Sequence, residues 1–249
     1  MPPAPPRDAA LVRQLALWRL LDSALPSGAF AHSLGVEACI RCGLAWDAEA
    51  DAALDWLVGD VVENACALML PTVMHVHAHP TADEAKRASA VLDAKMATNE
   101  VARKASQSNA RGLARAAEAA FEGQLAARLR AEDVTTLRSL GSAGDLHHAA
   151  VFGMVCYACG VGATDTALAF LHCAARDATS ALTRLGAIGP TAAATLLDRV
   201  SDTVARLAEE AVRAFQAGDL AIHGAFCATP VLELAQAAHL ALQPRLFRS

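Results

Sequence analysis

At 249 residues the chain is long enough for one large domain with a substantial core. A hydrophobic fraction of 54% against 19% charged residues excludes a disordered chain. A net charge of −5 and only 4% aromatic residues remove the basic excess and the stacking surfaces that nucleic-acid binders use. Much of the apolar content is alanine, and strand-favouring residues are scarce, so the composition points to helices.

The opening residues 1–7 read as a proline-rich arm. Asp8, Arg13 and Arg19 interrupt any signal-like apolar run, and the first twenty residues hold no serine, which argues against a transit peptide. The charge-free stretch Leu146 to Thr164 is broken by Gly153, Gly160 and Gly162, and reads as a buried helix, not a membrane span. A reducing, cytoplasmic setting follows as the expectation, with all seven cysteines as thiols.

In chain order, Leu11, Leu15, Trp18 and Leu21 recur at helical spacing and predict a first helix over 8–23 with those residues on its apolar face. Leu25-Pro26-Ser27-Gly28 fits a type I turn. A second helix is expected over 30–42, ended by Gly43 in the left-handed region. Asp47 is placed to cap a long third helix, which Pro71 should kink or end. Thr81 and Glu84 have the form of a reciprocal capping box, opening helical sequence to about Phe121.

Residues 131–144 show no clear period and read as a connection. Asp145 and Thr164 are candidate caps for helices ending near Gly160 and Leu185. Pro190 should open a single helix to about residue 217, with Leu197, Val200, Val204, Leu207, Ala211 and Phe215 inward and the pairs Asp202–Arg206 and Glu209–Arg213 outward. Thr229 and Pro230 begin a last helix to about Leu242. The expected fold is all-α: a single-domain multi-helix bundle over 8–242, with a partner-binding tail at 243–249.

Enzyme signatures are missing. The sequence has no Gly-x4-Gly-Lys-Ser/Thr phosphate loop, no His-Glu-x-x-His pair and no Gly-x-Ser-x-Gly elbow. Cys39/Cys42 and Cys156/Cys159 are two Cys-x-x-Cys pairs more than a hundred residues apart, which favours helix packing over a shared zinc site. His75, His77 and His79 permit either a transient metal site or a helix end running into a surface loop before Pro80. Lys104, Ser108, Arg111 and Arg115 form one helical stripe with Arg103 and Gln107 beside it. The stripe suits an acidic partner or a phosphate; Glu100, Glu118 and Glu122 lie at spacings that would neutralise it. Arg176, Asp177 and Arg184 sit in an otherwise apolar helix, as a polar network or its wet edge.

Residues 18–37, with Leu25-Pro-Ser-Gly-Ala-Phe30 followed by Ser33-Leu-Gly-Val-Glu37, resemble the opening signature of the UreF family of urease accessory proteins. Three further blocks agree in order: Thr98 to Ser106; Arg176-Asp177 with Ser180 to Leu185 and Ile188-Gly189-Pro190; and the terminal Arg245-Leu-Phe-Arg-Ser249. His32-Ser33-Leu34-Gly35 and Arg103-Lys104-Ala105-Ser106 are similar to the plant and algal branch, while Arg-Asp-Ala-Thr-Ser at 176–180 departs from the bacterial pattern.

The resemblance implies a homodimer without enzymatic activity or cofactor of its own. It implies a complex with the urease accessory protein D (also called H), the GTPase accessory protein G and the urease apoprotein, to which nickel is delivered. On that reading Arg245, Leu246, Phe247 and Arg248 anchor the D-type partner, and Arg103, Lys104, Arg111 and Arg115 face the GTPase. Pro26, Gly28 and Phe30 shape the first turn, and His32 and Glu37 are candidates for lining a metal path. The alternative is a chain that itself binds nickel through His75 to His79.

Overall fold

The computed structural model describes residues 8–25, 31–43, 51–143, 146–239 and 246–248. Pro26, Gly28, Phe30, Asp47, Asp145, Arg245 and the arm 1–7 lie outside the described residues. Among those described, the secondary structure is helical and contains no strand. The helices are α1 (Ala9–Leu21), α2 (Val36–Arg41), α3 (Asp51–Asn64), α4 (Leu70–Ala78), α5 (Ala82–Lys95), α6 (Glu100–Arg128), α7 (Ala131–Ala143), α8 (His148–Ala158), α9 (Ala163–Arg184), α10 (Pro190–Arg199), α11 (Ser201–Ala217) and α12 (Pro230–Ala238). None of them is long and apolar enough to cross a membrane.

Helix α8 is the hub. Residues 149–156 are buried without interruption, and the helix packs between α4 and α6. Gly153 makes the α4 crossing possible: a methyl group there would lie 2.5 Å from the Val73 carbonyl oxygen and 3.1 Å from the His77 nitrogen. Helix α9 carries the second layer, touching α3, α4, α10 and α11. Its buried face is built largely from Ala167, Ala169, Ala175, Ala178 and Ala181, with Phe170, Leu171 and Leu182. Small residues at the contacts let helix axes approach closely, so an alanine-rich composition yields a dense interior.

Several boundaries differ from the sequence expectation, each for a local reason. Pro71 neither ends nor sharply breaks its helix. It lies in the first turn of α4, directly after the π-helical turn Ala65–Met69 that joins α3 to α4. The wider turn accommodates the ring and the missing donor. Helix α5 ends at Lys95 with Met96 as its C-cap, and Asn99 starts α6, its side chain accepting from the Ala102 N–H at 3.0 Å. Helix α6 then passes Phe121, whose φ of −131° and ψ of 24° mark a kink. Arg19 donates to the Ala120 carbonyl beside that kink at 2.7 Å and lies 4.8 Å over the Phe121 ring.

The supposed connection at 131–144 is helix α7. Its first turn is anchored by buried Asp133, which accepts from Arg130 Nε at 2.8 Å and from the Ala82 N–H at 2.6 Å, so one carboxylate starts two helices. Thr81 caps α5 as expected, accepting from the Glu84 N–H at 3.2 Å. The Glu84 carboxylate, however, turns to His75 and Arg87, so the box is half formed. His147 stands at the N-cap of α8 and Gly162 at that of α9, in place of Thr164.

The run from Pro190 is two helices, α10 and α11, meeting at Val200. Arg206 pairs with Glu210 at 3.1 Å instead of Asp202, while Arg213 reaches Glu209 at 3.9 Å. Helix α1 forms where expected but turned over: Ala16 and Leu20 are buried, whereas Leu11, Leu15 and Trp18 are 64%, 54% and 60% exposed.

Gly153→Ala should destabilise the protein by about 1–3 kcal/mol through overpacking against a backbone carbonyl that cannot move aside. Urea denaturation measures it; an unchanged midpoint would show that the α4–α8 crossing is looser than described.

Candidate partner-binding site

The segment from Ala31 to Arg41 and the carboxyl-terminal residues 246–248 meet in one buried cluster. Leu34 and Gly35 adopt left-handed conformations, with φ of 57° and 93°, and turn the chain into α2. Gly35 is required on two counts. Its φ disfavours a side chain, and a methyl group there would lie 2.8 Å from both Leu232 and Gln236 of α12. Gln236 uses the approach to donate to the Leu34 carbonyl at 3.0 Å while accepting from Asn99 Nδ2 at 2.6 Å.

Two residues on, Glu37 is fully buried. One carboxylate oxygen accepts from the Leu246 N–H at 2.7 Å and the other from the Phe247 N–H at 2.9 Å. Arg41 stands 3.9 Å away, on the exposed side. A buried carboxylate is tolerated when donors saturate it, and here the donors are the backbone of the tail. The tail is held further by the Arg248 N–H, which donates to the Ala31 carbonyl at 2.9 Å, and by His239 Nε2, which lies 3.2 Å from the Phe247 carbonyl. Arg184 stacks 4.2 Å from the centre of the Phe247 ring. His32 is buried beside these groups; burial first, then the charges of Arg248 and His239, lower its pKa to about 4 and keep the ring neutral.

Residues 246–248 are therefore held by their own chain. Phe247 is 4% exposed and seated on its own chain, while Leu246 is 59% exposed. Arg184 belongs to this cluster; Arg176 instead pairs with Asp177 at 2.7 Å and donates to the Leu21 carbonyl.

The basic stripe on α6 is divided. Arg103 is drawn to Asp93 at 3.3 Å and Lys104 to Glu100 at 2.7 Å. Glu118 and Glu122, expected to neutralise the stripe, turn instead to Arg138 of α7. Arg111 and Arg115 consequently make no ion pair among the described residues, and Arg115 is exposed.

The candidate metal ligands do not converge. His75 Nε2 is 2.7 Å from Glu84, and His77 Nε2 donates to the Val161 carbonyl at 2.8 Å on the other side of the helix. Residues 75–78 close helix α4 and His79 is its C-cap, in keeping with a helix end before Pro80. All seven cysteines are free thiols; burial raises those of Cys39 and Cys159 to about 11, and raises that of Cys156 well above its ordinary value. No group of three or more His, Cys, Asp or Glu side chains suited to a metal ion occurs among the described residues.

Ser106, His147 and Asp93 form a line that resembles a hydrolytic triad, with Ser106 Oγ 3.0 Å from His147 Nδ1 and His147 Nε2 3.3 Å from Asp93. The serine is buried, and its oxygen accepts from the His148 N–H at 3.2 Å. The line is a clamp fixing the start of α8 to α5 and α6. Nothing in the local sequence announces it, because its members lie one each on α5, on α6 and at the start of α8.

The UreF family profile matches residues 48–201. Urease accessory protein F of Oryza sativa subsp. japonica is 35% identical over 248 residues, covering 97% of this chain and 88% of its own length. That of Arabidopsis thaliana is 33% identical over 245 residues, covering 97% and 95%. The UreF protein of Arthrobacter sp. (strain FB24) is 31% identical over 237 residues, covering 95% and 97%. Sequence similarity to such proteins along nearly the whole chain defines its class, that of urease accessory proteins. Within that class, the chain belongs to the UreF family.

Glu37→Gln replaces one acceptor by a donor facing an N–H. The expected result is faster hydrogen exchange at Leu246 and Phe247 and a loss of about 1–3 kcal/mol in stability. Unchanged protection of those two amides would show that the carboxylate does not hold the tail.

Proposed function

We propose that the chain is a non-enzymatic helical scaffold that recruits and regulates the nickel-delivering GTPase during urease metallocentre assembly. On this reading it acts as a cytoplasmic homodimer, in complex with the accessory proteins D/H and G and the urease apoprotein. The observation that carries the reading is the ordered tail. Locking Phe247 and the backbone on either side leaves Leu246 presented to solvent on a fixed support. Pre-ordering an apolar anchor reduces the entropy lost when a partner covers it.

Arg245, Leu246, Phe247 and Arg248 accordingly anchor the D-type protein, with Phe247 acting from within. Arg111 and Arg115, whose acidic neighbours Glu118 and Glu122 are taken by Arg138, are the cations of the α6 stripe that meet an acidic face of the GTPase. Arg103 and Lys104 contribute less, since Asp93 and Glu100 already engage them. Pro26, Gly28 and Phe30 retain the role of shaping the first turn. Glu37 has both oxygens engaged by the tail, so its part in any metal path would require the tail to leave.

Leu246→Asp tests the anchor without touching the core. Its melting temperature should match the parent chain, since exposed substitutions change stability by about 0.5 kcal/mol or less. Capture of the D-type partner in a pull-down, run with and without GTP and nickel, should fall at least about tenfold, the loss of roughly 1.4 kcal/mol of contact. Undiminished capture refutes the anchor, and nickel-loaded urease in cells lacking the whole chain refutes the assembly role.

The alternative, direct nickel binding through His75 to His79, draws on one observation: the His75 and His79 rings lie 4.9 Å apart on one face. Equilibrium dialysis separates the readings. One nickel ion bound per chain at micromolar concentration and lost in His75→Ala would favour the metallochaperone; no bound nickel removes it.

A further inference from the structure

A cavity of about 90 Å³ lies between α3, the π-helical turn, α6, α9 and α12, with Leu34 and Gly35 at its edge. By volume it has room for roughly six water molecules or one small organic molecule. Its walls are mainly apolar, including Val61, Met69, Val101 and Phe170. The π-helical turn contributes Ala65 and Met69, so the irregularity forced beside Pro71 shapes one wall.

Two polar side chains on that wall are unspent. Asn109 is only 7% exposed, and its side-chain oxygen, wholly shielded from outside solvent, has no hydrogen-bond partner. His148 is packed between Phe152 and Phe170, whose ring centres are 5.8 Å and 5.9 Å from its own, and its ring nitrogens make no hydrogen bond among the described residues. The other polar groups are engaged. Asn64 Oδ1 accepts from the Ala228 N–H, Gln236 is bonded at both ends, and Ser106 serves the His147 clamp.

The cavity is electrically quiet. Burial lowers the His148 pKa to about 4 and raises the Cys173 thiol to about 12, so both are neutral, and Asp177 is already paired with Arg176. A charged ligand would lose its hydration and gain no free counter-charge. A buried polar atom without a partner is costly, and the Asn109 oxygen, which lines the same space as the unbonded His148 ring, marks the place where a partner fits. A carboxamide offers an acceptor and donors side by side, and the group that satisfies both at once is another primary amide.

We propose that this cavity is a binding site for a small uncharged primary amide, paired with the Asn109 carboxamide and hydrogen-bonded to the His148 ring. The apolar walls cover the rest of the molecule. The site is independent of the partner surfaces above: none of Leu246, Arg111 or Arg115 lines it.

The test is an NMR titration of the labelled full chain with acetamide, reading the Asn109 side-chain amide and the His148 ring nitrogens, with acetate and acetone as controls. Acetamide should shift both sets of signals saturably with a Kd of roughly millimolar order, the range open to a four-heavy-atom ligand. Acetate should leave them unmoved, and acetone, which only accepts, should bind at least tenfold more weakly. Asn109→Leu should abolish saturation while the backbone spectrum keeps its dispersion. If that variant fails to fold, discrimination among the three probes by the unaltered chain decides the matter. Non-saturating shifts, equal response to acetate, a cavity occupied by water that acetamide does not displace, or nickel broadening of the His148 signals that acetamide cannot compete away would each overturn the proposal.

Discussion

The arrangement depends on a carboxylate that has no business being buried alone. Glu37 is kept in the interior because the backbone N–H groups of Leu246 and Phe247, 209 and 210 residues further along the chain, come to it. Removing either side of that contact leaves the other uncompensated, a burden of several kcal/mol in a protein interior. The contact therefore binds the segment 31–43 and the last described residues, 246–248, into one unit. The Leu34–Gly35 turn, the approach of α12 and the seating of Phe247 beneath Arg184 are organised around it. Residues that look like separate sequence blocks are, in space, parts of one joint.

That joint explains which part of the site was readable in advance. Ser33-x-Gly35-x-Glu37 and Arg-Leu-Phe were visible as motifs, but motifs do not say what they touch. The glycine is needed where α12 leans on the turn, and the glutamate where the tail ends, and neither relation is local. The basic stripe on α6 was correct as a pattern. Its division into engaged and free cations was hidden, because Arg138, which takes Glu118 and Glu122, lies in a stretch without an evident period. Helix α7 went unrecognised for the same reason: its start is secured by Asp133 and Arg130, and Val134 and Leu137 make too short an apolar stripe to stand out.

The fold class followed from composition, and most termini from glycine and proline. Gly43, Gly160, Gly186 and Gly218 all adopt the left-handed conformation at or just past helix ends, and Pro190 opens α10. What failed was phase. In α1 the bulky residues Leu11, Leu15 and Trp18 define the stronger stripe, yet Ala16 and Leu20 face inward. In a core assembled from alanine, size is a poor guide to burial, since close helix contact selects the smallest side chain available. Large residues are then left over for the outside.

The π-helical turn at Ala65–Met69 has a consequence for how this region tolerates change. A π turn holds one residue more than an α turn, so everything before it is rotated about a hundred degrees against everything after it. Val58, Val61 and Val62 upstream and Val73, Met74 and Val76 downstream are buried only because that offset is present. Loss of a single residue there would straighten the helix and send one of the two sets to the wrong side. Point substitutions within the turn are mild by comparison. In this stretch, counting residues matters more than choosing them.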